Sequence, residues 1–122
     1  MKKYYSIIRQ KADAYTNRII RLYKYLTEQK REYILSKQIL RSGTSIGANV
    51  VESQNAQSPA DWINKLNIAL KEADETRFWL EKLCVGNYIT KYQFDSMTED
   101  NDEIIKILTS IIKTKKLKLG LY

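Results

Sequence analysis

Histidine is absent from the 122 residues. Its absence removes the Ser-His-Asp triad, His-liganded zinc and imidazole acid–base chemistry together. There is one cysteine, Cys84, so no disulfide closes within the chain, and a reducing compartment suits it. Its neighbours Leu80, Leu83 and Val85 mark it as a small buried hydrophobe rather than a reactive thiol. No apolar run approaches the ~18 residues of a membrane span. The opening MKKYYSIIRQKADAY has a basic start with no apolar stretch behind it, unlike a secretion signal. These absences predict a cytoplasmic protein. No GxGxxG or GxxxxGK occurs, which leaves no fingerprint of a nucleotide-binding enzyme.

One proline and four glycines give little punctuation, which favours a few long helices over many short strands. Apolar spacing agrees. Ile8, Ala12, Tyr15, Ile19, Leu22 and Leu26 recur every third or fourth residue. So do Trp62, Leu66, Ala69, Ala73, Thr76, Leu80 and Leu83, and again Phe94, Met97, Asn101, Ile104, Leu108 and Ile111. Ser58 before Pro59, with Asp61 three residues on, reads as a capped helix start, and Thr90 with Gln93 as a capping box. Gly86-Asn87 supplies a residue able to take positive φ at a helix end. Helices are expected near 4–26, 32–55, 59–85 and 91–116, joined by short loops. The fold class is all-α, an antiparallel up-down four-helix bundle. One domain spans 1–122, with a fraying tail over about 117–122.

The second helix contains RSGTSIGANV, residues 41–50, whose small polar residues suit a loop while Ile39, Ile46 and Val50 keep helical spacing. Each interior glycine costs about 1 kcal/mol against alanine, so Gly43 and Gly47 need a compensating role. Close approach of a neighbouring helix supplies one. A phosphate-cradling loop is the sharper alternative, but the lysine it needs after its second glycine is missing. Arg41, Ser45 and Glu52 fall opposite the apolar side, with Ser42 and Asn49 between. On the third helix Ile68, Glu72, Glu75 and Trp79 form a stripe beside the apolar one. An interface, an ordinary polar surface and paired-carboxylate acid–base chemistry all fit such a stripe.

Charge is unevenly distributed. Residues 1–37 carry ten Lys/Arg and three Asp/Glu, residues 38–112 seven and eleven, and residues 113–122 four lysines. Lys11, Arg18, Arg21 and Tyr25 share one flank of the first helix, and Lys113, Lys115, Lys116 and Lys118 close the fourth. Basic ends around an acidic middle suit an anionic partner, an acidic patch on another copy, or a merely solvated surface.

SKQILRSGTSIGANVVES followed by WINKLNIALKEADETRFWLEKL resembles the small bundle proteins encoded in intervening sequences of bacterial 23S ribosomal RNA genes, the S23-like family. The resemblance covers about residues 20–112. It rests on Gln38, Arg41, Ser42, Ser45, Ile46, Asn49 and Glu52 in one run and Ala69, Glu72, Glu75, Trp79 and Leu80 in the next. The family implies a left-handed antiparallel bundle, and in some members a ring-shaped homopentamer. The related accessory variability determinants of diversity-generating retroelements bind a reverse transcriptase and nucleic acid through a basic surface. The resulting expectation is a non-enzymatic homo-oligomer with no cofactor and no metal, binding RNA or DNA through Lys11, Arg18, Arg21, Tyr25, Lys113, Lys115, Lys116 and Lys118. Arg41, Ser42, Ser45, Asn49, Glu52, Glu72, Glu75 and Trp79 are its candidate interface. The alternative is a protein-interaction module, the accessory subunit of a reverse transcriptase or another partner.

Overall fold

A computed structural model describes residues 2–121 and shows four helices: α1 (Lys2–Glu28), α2 (Leu35–Ser53), α3 (Pro59–Val85) and α4 (Lys91–Lys118). Each helix packs on its neighbours in chain order, and α4 returns to close against α1. Cross-contacts run in opposite sense along every neighbouring pair. Gly43 and Gly47 of α2 face Ile19 and Thr16 of α1, and Arg41 and Glu52 face Glu75 and Lys65 of α3. On α4, Lys115 lies over Trp62, whereas Asp102 meets Arg77. The helices are therefore antiparallel. One end of the bundle holds the α2–α3 loop and the end of α4; the other holds the α1–α2 and α3–α4 loops.

The expected apolar stripes form the core. Ile8, Ala12, Tyr15, Ile19 and Leu26 of α1 are buried, as are Leu66, Ala69, Ala73, Leu80 and Leu83 of α3 and Met97, Ile104, Leu108 and Ile111 of α4. Leu22, Trp62 and Phe94, expected in the same stripes, are half-buried at its edge. Cys84 is also half-buried, packed against the core.

The largest boundary difference is at α2, which starts at Leu35 rather than near residue 32. Glu32 lies outside the helix and caps it. Its carboxylate accepts from the backbone N–H of Ile34 (3.2 Å), Leu35 (3.0 Å) and Ser36 (2.7 Å). From ahead of the first turn this carboxylate satisfies orphan donors of the helix start. The other starts follow the expected chemistry. Ser58 Oγ accepts from Asp61 N (3.1 Å), and Thr90 and Gln93 form a reciprocal capping box. At the end of α3 it is Asn87, with φ 62°, that turns the chain, while Gly86 keeps φ −77°. Helix α4 runs two residues beyond the expected end, and Tyr122 lies outside the described residues.

The seam between α1 and α4 is the sparsest in the bundle. Buried polar groups collect beside it. Asn101 Nδ2 donates to Ala73 O (2.9 Å), but its Oδ1 has no partner among the described residues, and neither does Tyr15 Oη. Burial pushes the pKa of the Tyr15 phenol well above the ordinary tyrosine value.

Candidate functional site

The RSGTSIGANV stretch is helix throughout, and of its small residues Ser42, Gly43 and Gly47 face inward while Ala48 is exposed. Gly43 and Gly47 are buried: a Cβ on Gly43 would stand 2.7 Å from Ile19 Cδ1, and one on Gly47 2.7 Å from Thr16 Oγ1. Ser42 is fully buried rather than lying between faces. Its hydroxyl accepts from Thr76 Oγ1 (2.9 Å), so the polar pair is satisfied inside the core between α2 and α3. The glycines let α1 approach α2, and the serine lets α3 approach it from the other side.

The remaining motif residues decorate the outer edge of that α2–α3 contact. Arg41 bridges two acids of α3 within the same chain: Nη1 lies 3.4 Å from Glu72 Oε2, and Nη2 pairs with Glu75. Trp79 Nε1 donates to the same Glu75 oxygen (2.9 Å), so Glu75 joins a guanidinium to an indole. The Trp79 ring is half-buried and meets Phe78 edge-on at 4.9 Å. Ser45 donates to Arg41 O (2.7 Å) and Asn49 to Ser45 O (2.9 Å). Both polar side chains are thus turned back on their own helix. Glu52 reaches Lys65 of α3 at 3.5 Å.

The basic residues of α1 and α4 do not form one surface. Lys11 and Arg18 face the acids of α4. Lys11 Nζ lies 2.6 Å from Glu103, a hydrogen bond that holds the ammonium pKa above the ordinary lysine value. Arg18 reaches Asp100 (2.6 Å) and the Ser96 hydroxyl (2.9 Å). Because α4 is antiparallel to α1, Lys113–Lys118 sit about 15 Å or more along the axis from the Lys11–Glu103 pair and about 20 Å or more from the Arg18–Asp100 pair, at 1.5 Å per residue. Arg21 and Tyr25, one and two turns beyond Arg18, line a cleft at the opposite end with Tyr92 and Gln93. The sequence reading missed these last two residues; the one available signal was the capping box that brings them to the start of α4.

Along the bundle axis the charges separate into layers. At the end where α4 finishes, residues 5–10, 53–68 and 107–121 carry six Lys/Arg and one Asp/Glu. The middle layer, residues 11–18, 41–52, 69–78 and 96–106, carries six and nine. The loop end, residues 19–40 and 79–95, carries seven and four. Lys113 and Lys118 are exposed in the first layer, and Lys115 Nζ lies 5.5 Å from the centre of the Trp62 ring. Lys115 and Trp62 border a shallow groove with Gln57 and Pro59. Among the described residues no grouping of His, Cys, Asp and Glu suits a metal ion, and no helix is long and apolar enough to cross a membrane.

Comparison with known proteins agrees with this architecture. The chain is similar to a protein of unknown function from the S23 ribosomal protein family of Bacteroides thetaiotaomicron VPI-5482, whose crystal structure is known. The two are 54% identical over 90% of this chain and 98% of that one, with a TM-score of 0.89. Among curated proteins none matches. The family model for the 23S rRNA-intervening sequence protein matches residues 5–110. The chain belongs to the 23S rRNA-intervening sequence protein family.

Proposed function

We propose that this protein is a non-enzymatic, cytoplasmic homo-oligomer that binds RNA or other structured nucleic acid through the basic end of its bundle. The observation that carries the reading is the charge layering: six cations against one acid where α4 finishes, next to a middle layer in which acids outnumber cations. Asp61, the one acid of that end, is partly occupied in receiving the backbone N–H of Gln57 (3.2 Å). Lysines on a helical surface suit phosphate contacts, which fix position without reading sequence. A ring of copies, a pentamer by family resemblance, would repeat this surface and multiply the field.

The reading replaces the sequence-based surface with a smaller one. Lys113, Lys115 and Lys118 belong to it, whereas Lys11 and Arg18 have acidic partners and contribute less. Glu72 and Glu75, the candidate acid–base pair, both turn to Arg41 on an open face, which favours a structural role. The test is fluorescence anisotropy of a labelled structured RNA at low salt. Intact protein is expected to bind, and Lys113→Ala/Lys115→Ala/Lys118→Ala to bind several-fold more weakly by a similar factor across unrelated RNAs. An affinity for acidic proteins but none for RNA or DNA would replace this reading with that of a protein-interaction module.

A further inference from the structure

At the other end of the bundle, α1 and α4 leave a cleft of about 270 Å³. Leu22 and the buried Met97 give it an apolar floor, and the side chains of Tyr25 and Tyr92 flank it. Tyr92 is 83% exposed, so its ring is open to a partner at the mouth of the cleft. Lys30 Nζ lies 5.8 Å from the centre of the Tyr25 ring. Arg21 is exposed at the rim, with no ion pair among the described residues. Gln93 also lines the cleft. Its Oε1 is taken by the Thr90 N–H (2.8 Å), which leaves its amide NH₂ to donate.

The combination is chemically specific. Aromatic rings bordering an apolar floor suit a flat, uncharged π system. A fixed amide donor suits a ring carbonyl or ring nitrogen. A free guanidinium at the rim suits a phosphate beside that ring. The volume lies just below the roughly 300–1,000 Å³ of pockets for drug-sized ligands, so it suits one planar group rather than a folded peptide. Arg18, held by Asp100 and Ser96, forms one side of the cleft and leaves Arg21 as the cation without an ion pair among the described residues.

We infer that this cleft receives one unpaired nucleobase of a nucleic acid, stacked on Tyr92 and Tyr25, hydrogen-bonded by Gln93 and held by Arg21 through the adjacent phosphate. The inference rests on the nucleic-acid reading above and gives it a preference for unpaired strands. Base–aromatic stacking tolerates any sequence, because every base has a π face.

The test compares a short labelled single-stranded RNA with the same strand annealed to its complement. Tyr92→Ala is the main variant, since so exposed a side chain adds little to folding, and Tyr92→Phe retains the ring. The single strand is expected to bind Tyr92→Ala about tenfold more weakly. The duplex should be unaffected, and Tyr92→Phe should behave as the intact protein. If both RNAs bind and Tyr92→Ala changes neither, the cleft assignment is overturned while the basic-end reading stands. If neither RNA binds the intact protein at low salt, both are overturned. If poly-glutamate binds instead and Tyr92→Ala weakens it, the occupant is an acidic protein and the nucleobase assignment fails.

Discussion

Gly43 of α2 stands against Ile19 of α1 so closely that an added Cβ would lie 2.7 Å from both Cδ1 and Cγ1 and 2.8 Å from Cγ2. Ile19 is fully buried and branched at Cβ, so it has no free direction in which to yield. At Gly47 the obstacle is a single hydroxyl, Thr16 Oγ1, which a rotamer change can move away. The two glycines therefore separate under substitution. Gly43→Ala should destabilise the fold by about 1–3 kcal/mol through overpacking. Gly47→Ala should be close to neutral, because the gain in helix propensity, about 1 kcal/mol, offsets the displaced hydroxyl. Gly47→Leu should again cost about 1–3 kcal/mol. Urea denaturation of the three variants checks the order; equal effects of the two alanine changes would contradict it.

Glu32 offers a second stability test. It is buried, and its carboxylate serves three backbone donors at the start of α2. Glu32→Ala leaves all three without that acceptor and should cost about 2 kcal/mol, at the upper end for a lost helix cap. A shift in denaturation midpoint no larger than that of an exposed control such as Glu28→Ala would show that water replaces the cap.

Asn101 predicts a gain. Only its amide donor is used, and the buried carbonyl oxygen has no partner among the described residues. Asn101→Leu, which keeps the branching and the number of side-chain heavy atoms, should stabilise the bundle by about 1 kcal/mol where the core accepts the bulkier methyl groups, since a half-satisfied buried polar group costs more than an apolar replacement. Calorimetry reads this directly; a lower melting temperature would mean that the bond to Ala73 O outweighs the unpaired oxygen.

Assembly is the proposal most exposed to Trp79. The Arg41–Glu75–Trp79 network lies at the surface, where such ion pairs contribute about 0–1 kcal/mol to a single chain. If the α2–α3 face also joins copies, Trp79→Ala should reduce the mass measured by light scattering while helicity by circular dichroism stays intact. Large aromatic side chains at interface centres behave in this way. Intact protein already monomeric at micromolar concentration would remove the ring from the account.

Most of the fold was legible because burial imposes its period on the chain. Ile8 to Leu26 and Leu66 to Leu83 could be placed from spacing alone, and the caps at Ser58 and Thr90 are local chemistry. Ser42 was not legible. A buried serine is recognised by its partner, and Thr76 lies on another helix 34 residues away. Glu32 was missed for a related reason, since a carboxylate ahead of a helix looks like ordinary loop polarity until its three backbone donors are known. The basic surface failed on topology. Lys11 and Arg18 are two turns apart, and Asp100 and Glu103 lie one turn apart on α4; only the antiparallel register pairs them. The same register carries Lys113–Lys118 to the far end and brings Tyr92 and Gln93 beside Tyr25.

The central claim, that the basic end of the bundle holds nucleic acid through its phosphates, is tested most directly by the salt dependence of RNA affinity. Anisotropy titrations of one structured RNA across a range of salt concentrations give the slope of log affinity against log salt for intact protein and for Lys113→Ala/Lys115→Ala/Lys118→Ala. The account predicts measurable binding at about 50 mM salt, a steep negative slope, and a flattening of roughly one unit for each phosphate contact removed. No affinity at about 50 mM salt, or a slope that the triple variant leaves unchanged, would contradict it.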